Sequence, residues 1–266
     1  MIKVGIIGLG LIGTSILKKL SLFKDKYEIF CSSKSSFEKA LKYTPYTGFD
    51  IKIVKDCDII FVCSKISKTL DILEELNSFL PEKAIVADVS SIKTPFLNKK
   101  FSFDFILSHP MAGTEKSGFE AGEENLFQGA KWLIEKNNPL LEEIILNLGA
   151  IPLKINMKDH DFLCAQISHL PLLLSILLFQ SALDEAKQIA SSGFRDTTRL
   201  AISSSDLTMG IFKGNKENIL KAFDLLIEKF NDLKKLSDDE KIKLFSEISK
   251  NRKEMYNENG KNIFKI

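Results

Sequence analysis

Residues that build metal centres are scarce in this sequence. Three histidines and four cysteines are spread over 266 residues. None of Cys31, Cys57, Cys63 and Cys164 forms a C-x-x-C pair, so the common zinc spacings are excluded and no metal is expected. The cysteines read instead as buried free thiols of a reducing cytosol. Net charge is scarce too. A formal charge of +2, with no basic block interleaved with aromatics, excludes a nucleic-acid partner. Long apolar runs are missing as well: Leu170 to Leu178 is the most apolar stretch and is too short to span a bilayer. Met1 leads directly into a strand pattern, which leaves no room for a signal peptide. These absences describe a cytoplasmic chain with neither a membrane nor a nucleic acid as its partner.

What is present is ordinary globular material. Hydrophobic residues make up 44% and charged residues 27%, and the length suffices for one large domain or two modest ones. Short apolar runs alternate with helical patterns over the first half. Strands are expected at Lys3 to Ile7, Tyr27 to Cys31, Ile51 to Val54, Asp58 to Cys63, Ala84 to Val89 and Phe103 to Leu107. Helical spacing covers Thr14 to Leu20, Phe37 to Leu41 and Thr69 to Phe79. Strands alternating with helices predict a parallel sheet covered on both faces. Lys131 to Ile134 and Ile151 to Ile155 are expected to extend that sheet.

The rhythm changes near Asn156, after which only helices are expected. Ile219, Phe223, Leu226, Ile227, Phe230 and Leu233 share one helical face. Ser237-Asp238-Asp239-Glu240 reads as a capping box opening the last helix. The fold class is therefore α/β, with a nucleotide-binding domain over residues 1–156 and an all-helical domain over 157–266. Apolar stripes in the helical half call for cover, either from the first domain or from a second copy of the chain.

Gly8-Leu9-Gly10-Leu11-Ile12-Gly13 is a G-x-G-x-x-G run that follows the first strand and opens the first helix. That context makes it a dinucleotide cradle of the Rossmann type. Its glycines serve a tight turn, close approach to a pyrophosphate and helix–strand packing, with the helix N-terminus as the anion site. An NAD site usually ends its second strand with an acid. Here that strand runs into Cys31-Ser32-Ser33-Lys34, and hydroxyls beside a lysine suit the extra phosphate of NADP; NAD is the alternative. Ser64, after the fourth strand, and Ser91, after the fifth, are also assigned to the cofactor.

Asp88-Val89-Ser90-Ser91-Ile92-Lys93 lies at the carboxyl end of a strand, where open parallel sheets bind ligands. His109-Pro110 follows the next strand and is expected on an adjacent loop. A neutral imidazole can accept a hydroxyl proton as the carbon loses hydride, whereas lysine is charged and arginine does not accept. A loop-capping histidine before proline is the plainer alternative for His109.

Together these segments resemble a known family. Gly8 to Gly13, Asp88 to Lys93, His109 to Gly118, Asp159-His160-Asp161, Ser168-His169-Leu170-Pro171 and Gly193 to Arg199 are similar, in kind and order, to the prephenate and arogenate dehydrogenases of tyrosine biosynthesis. The resemblance implies a nucleotide-binding domain joined to a helical dimerisation domain, and oxidative decarboxylation of a cyclohexadienyl substrate with hydride transfer to NAD or NADP. It implies that His109 takes the bond from the ring hydroxyl, with Ser91 beside it. It also implies that Arg199 holds a substrate carboxylate and that Thr114, Glu115 and His169 line the pocket. His160 is read as structural. Leu172 stands where family members often have a second histidine, so prephenate and arogenate both stay open as substrates. Ser205 to Ile211 is a shortened form of a later element. Lys65 stands where a proline commonly follows the fourth strand. The chain ends after the helical domain, so any feedback by tyrosine is expected at the active site itself. Another two-domain reductase, or a dinucleotide-sensing dimer without catalysis, is the rival.

Overall fold

The computed structural model describes residues 1–114 and 116–256; Glu115, expected in the pocket, lies outside them. In chain order the N-terminal half contains β1 (Ile2–Ile7), α1 (Leu11–Leu20), β2 (Tyr27–Ser32), α2 (Phe37–Ala40), β3 (Thr47–Gly48), β4 (Ile59–Val62), α3 (Ile66–Asn77), β5 (Ile85–Asp88), β6 (Asp104–Ile106), β7 (Ser108–Pro110), β8 (Lys131–Ile134), α4 (Pro139–Asn147) and β9 (Ile151–Lys154).

The first six strands form one parallel sheet in the order β3-β2-β1-β4-β5-β6. The order reverses between β1 and β4, which is where such sheets open a crevice for a ligand. Register makes the crevice sharp. Ile7 pairs with Ser32 and with Val62, and Val62 pairs with Asp88. Four strands thus end level, and the loops after them leave from one edge. β4 is buried along its whole length, as an interior strand covered on both faces must be. On one face Ile16, Leu17 and Leu20 of α1 pack with Leu141, Ile144 and Ile145 of α4. On the other, Leu73 and Leu76 of α3 pack with Phe96 and Phe103.

Two expectations are corrected here. Ile51–Val54 is a 3-10 turn rather than a strand, because the Asp50 side chain accepts from the Lys52 amide and caps it. The third strand is the two-residue β3, held by Cys31 N–H to Tyr46 O and Ser33 N–H to Gly48 O. Second, β8 and β9 do not extend the main sheet. They form a separate sheet with β7, antiparallel at β7–β8 and parallel at β8–β9. The chain leaves the first sheet because the Ser108 amide and hydroxyl bond to Asp88 Oδ1 and O, so the parallel ladder stops at Ile106. His109 is consequently on a strand, not a loop.

The C-terminal half is helical: α5 (Met157–Cys164), α6 (Leu170–Ser181), α7 (Asp184–Gln188), α8 (Ser192–Thr197), α9 (Ser205–Gly214), α10 (Lys216–Lys235) and α11 (Asp238–Met255). A π-helical turn, Ala165–His169, joins α5 and α6 into one 25-residue helix. Because α5 adds length to the apolar run after Leu170, this helix is long and apolar enough by composition to cross a membrane, and a third of its most apolar window is buried. It also carries the buried His160, Asp161 and His169. The Ser237–Glu240 capping box is present at the start of α11. The α10 face is only partly covered: Ile219 is buried, whereas Ile227 and Phe230 are 54% and 56% exposed.

Candidate active site

The glycine turn has the shape a pyrophosphate needs. Gly8 has φ of +94°, and a Cβ there would sit 2.6 Å from Cys63 O. A Cβ on Gly13 would fall 2.0 Å from Gly8 O. Gly10 differs: nothing lies within 4 Å of where its Cβ would be. Two glycines therefore close the turn, and the third leaves space for a ligand against the backbone at the N-terminus of α1, where no side chain caps the helix. A dinucleotide fits this cradle. Leu9 is buried in the core, and Leu11 and Ile12 are partly buried, so Leu9 offers a ligand its backbone only.

The other expected cofactor residues leave the same edge. The buried Ser32 hydroxyl donates to Phe49 O at 3.3 Å, and Ser33 Oγ accepts from the Ser36 amide at 3.2 Å. Lys34 is exposed. Ser64 Oγ and Thr69 Oγ1 are 2.9 Å apart. Ser91 is partly buried. Its neighbour Ser90 has a buried hydroxyl with no partner among the described residues, a group that a ligand in the crevice would satisfy.

Behind these loops lies a buried polar network. Lys93 Nζ, fully enclosed, donates to Asp88 Oδ2 at 2.5 Å and to Ser108 O at 2.6 Å. Burial pulls the Lys93 ammonium below its usual range, although Asp88 opposes the shift. The Lys93 and Thr94 amides donate to Asp161 at 2.7 and 2.8 Å, and the Thr94 hydroxyl to Asp161 Oδ2 at 2.5 Å. Burial alone would raise the Asp161 carboxyl. Hydrogen bonds from His160, Thr94 and the two amides outweigh it and hold the group at about 2.

That carboxylate dictates the protons on two imidazoles. Asp161 Oδ1 is 2.7 Å from His160 Nδ1, so His160 carries its proton there. His160 Nε2 is then an acceptor, and it is 3.0 Å from His109 Nδ1, which must donate. The proton of His109 is thus on Nδ1, and its Nε2 keeps a lone pair. Burial, with Lys93 and His160 adding positive field, drives His109 well below the ordinary imidazole value. The ring is neutral near neutral pH. Its strand is fastened through Ser108 to the end of β5, two strands or about 10 Å from the glycine turn on β1.

The remaining expected residues divide. His169 is buried, and its Nδ1 accepts from Asn215 Nδ2 at 3.0 Å; burial lowers its pKa to about 4. It is near enough to add to the field at His109. Thr114 is exposed, its hydroxyl accepting from the Lys116 amide at 3.3 Å. Arg199 is exposed and lines a different cavity, of about 540 Å³, with Phe179, Ser191, Arg195 and Thr198. Neither His109, Ser91 nor His169 lines that cavity.

Comparison with known proteins decides the family. Residues 21–145 match the domain described as prephenate dehydrogenase, nucleotide-binding domain, and residues 156–251 match prephenate dehydrogenase, dimerization domain. The prephenate dehydrogenase of Lactococcus lactis subsp. cremoris is 31% identical, over 99% of this chain and 77% of its own length. The chain belongs to the prephenate/arogenate dehydrogenase family. It is an NAD(P)-dependent oxidoreductase. Among solved structures, the arogenate dehydrogenase of Synechocystis is similar at 30% identity and a TM-score of 0.82, covering 95% of this chain and 99% of that one. The prephenate dehydrogenase of A. aeolicus, in complex with hydroxyphenyl propionate and NAD+, is similar at 27% identity and a TM-score of 0.81, covering 96% and 98%.

In this member of the family the sequence reading left out the groups that orient His109. His160, set aside as structural, touches His109 directly, and Lys93, Asp161 and Ser90 were not singled out for this role. The signal available was the Asp159-His160-Asp161 run on a helix, where Cys164 lies one turn on. The histidines are not scattered in space, either: His109 Nδ1, His160 Nε2 and Cys164 Sγ all lie within 4.8 Å of one another.

Proposed function

We propose that the chain converts prephenate to 4-hydroxyphenylpyruvate, with loss of CO2 and hydride transfer to NAD(P)+. The observation that carries this is the chain from Asp161 through His160 to His109, which leaves the lone pair of His109 on Nε2, on a strand fastened to the end of β5. NAD(P)+, when bound, supplies the hydride acceptor. His109 Nε2 accepts the proton of the ring hydroxyl as the carbon beneath it is oxidised, and the adjoining His160–Asp161 pair stabilises the imidazolium that results. Ser91, one residue from the unpartnered Ser90 hydroxyl, sits between substrate and cofactor ribose. Thr114 and His169 border the substrate. Ser32, Ser33 and Lys34 take the adenosine end, with NADP favoured over NAD because the exposed Lys34 and its neighbouring hydroxyls suit an added phosphate.

Arogenate is the second substrate reading, favoured by the similarity to the Synechocystis enzyme. Leu172, buried at 6% exposure, offers no imidazole to a side-chain carboxylate. The division into residues 1–156 and 157–266, with the helical part as a homodimer interface, follows the exposed apolar faces of α6, α10 and α11. In that assembly the partner copy would close the Arg199 cavity and bring a carboxylate-binding cation to the substrate. A cytoplasmic location accords with its four free cysteines. Initial rates over both substrates and both cofactors test the proposal. Turnover is expected with prephenate, faster with NADP than NAD. Cofactor binding without turnover of either substrate would refute it.

A further inference from the structure

His109, His160 and Cys164 bring three metal-ligand atoms within 4.8 Å of one another. His109 comes from β7, while His160 and Cys164 are one turn apart on α5. The separations are 3.0 Å for the two nitrogens, 3.5 Å for Cys164 Sγ to His160 Nε2 and 3.9 Å for Cys164 Sγ to His109 Nδ1. Tetrahedral zinc, with Zn–N of about 2.0–2.1 Å and Zn–S of about 2.3 Å, requires roughly 3.3 Å between nitrogens and 3.5 Å between nitrogen and sulfur. Shifts of a few tenths of an ångström would satisfy it. The outer partners already suit a metal as well: Asp161 holds His160 Nδ1–H, the carboxylate–histidine arrangement that orients metal-bound imidazoles.

Binding displaces the thiol proton of Cys164 to solvent and leaves a thiolate ligand. Two imidazoles and a thiolate select a thiophilic ion such as Zn2+ over Mg2+ or Ca2+.

We propose that these three side chains form a binding site for a thiophilic divalent metal ion, and that its occupancy switches off His109. The metal takes the Nδ1 lone pair, so the ring proton must move to Nε2, which then donates instead of accepting. A water completes the coordination. The second half of the proposal rests on the role given to His109 under Proposed function; the site itself does not.

The experiment uses the full chain, treated with chelator and reductant, and titrated with Co2+ alone. One equivalent is expected to give a thiolate-to-cobalt charge-transfer band with intense tetrahedral d–d absorption, and Zn2+ should displace it. The band should vanish in Cys164→Ser and in Cys164→Ala, and persist in Cys31→Ser. No band in the wild type, or one that survives both Cys164 variants, overturns the site. In turnover assays, Zn2+ should inhibit over the range in which it displaces Co2+, and EDTA should reverse the effect. Cys164→Ser should need roughly tenfold more Zn2+. Cobalt binding without inhibition overturns the switch and leaves the site standing. A protein inert with both substrates refutes the proposed reaction, while its cobalt spectrum still decides the site.

Discussion

As the proposed base, His109 depends on which of its nitrogens carries the proton, and three residues determine where it goes. Asp161 accepts from His160, His160 accepts from His109, and the lone pair left over is on His109 Nε2. His109→Asn should fold and bind cofactor while turnover falls on the order of 100-fold or more, which single-turnover kinetics with the purified variant checks. The same surroundings depress the His109 pKa, so the basic form persists below the usual 6.5. The acidic limb of kcat/KM for the wild type should therefore lie below pH 6.5. Asp161→Asn removes the acceptor that orders the protons. It should lower kcat roughly tenfold or more with little change in KM. The folded pKa of Asp161 lies below its unfolded value, so its stabilisation is full above about pH 4 and is lost as pH falls through 2. Urea unfolding should show the variant weaker by about 2 kcal/mol near pH 6, with the gap closing toward pH 2.

Elements were legible where their pattern is local. The glycine turn, β1, α1, β4 and the α11 capping box stand where periodicity and capping rules place them. The turn yields a clean test, because its glycines differ in kind. Gly10→Ala meets no neighbouring atom, so its Tm should stay within about 2 °C of the wild type while cofactor affinity drops roughly tenfold or more. Gly13→Ala collides with Gly8 O and should lower Tm sharply. Long-range choices were not legible. Ile51–Val54 has strand-like composition, yet Asp50 caps it into a turn. Nothing in Lys131–Ile134 records that Ser108 bonds to Asp88 and starts a second sheet. For the site, His109 was visible through its motif and its setting after a strand. The contact with His160, 51 residues away, exists only once α5 has docked on the carboxyl edge of the sheet.

At the scale of the whole molecule, the helical half leaves several large apolar side chains exposed. Phe230 on α10 and Phe245 and Ile248 on α11 are each more than half exposed. If the proposed homodimer forms through these faces, Phe230→Glu should leave the fold intact and convert it to monomers in sedimentation equilibrium; an unchanged mass would move the interface elsewhere. If the partner closes the cavity lined by Arg199, the monomeric variant should also show a raised KM. The π-turn at Ala165–His169 carries a further consequence. It sits between the half of the long helix that grips His109 and the half that bears Leu170 and Leu172 inward. Removing one residue there would restore ordinary 3.6-residue winding and swing everything downstream by about 100°. Leu170 and Leu172 would rotate out of the interior, and His169 would lose Asn215, so the loop-out works as a phase corrector that keeps two lengths of one rod facing their separate neighbours.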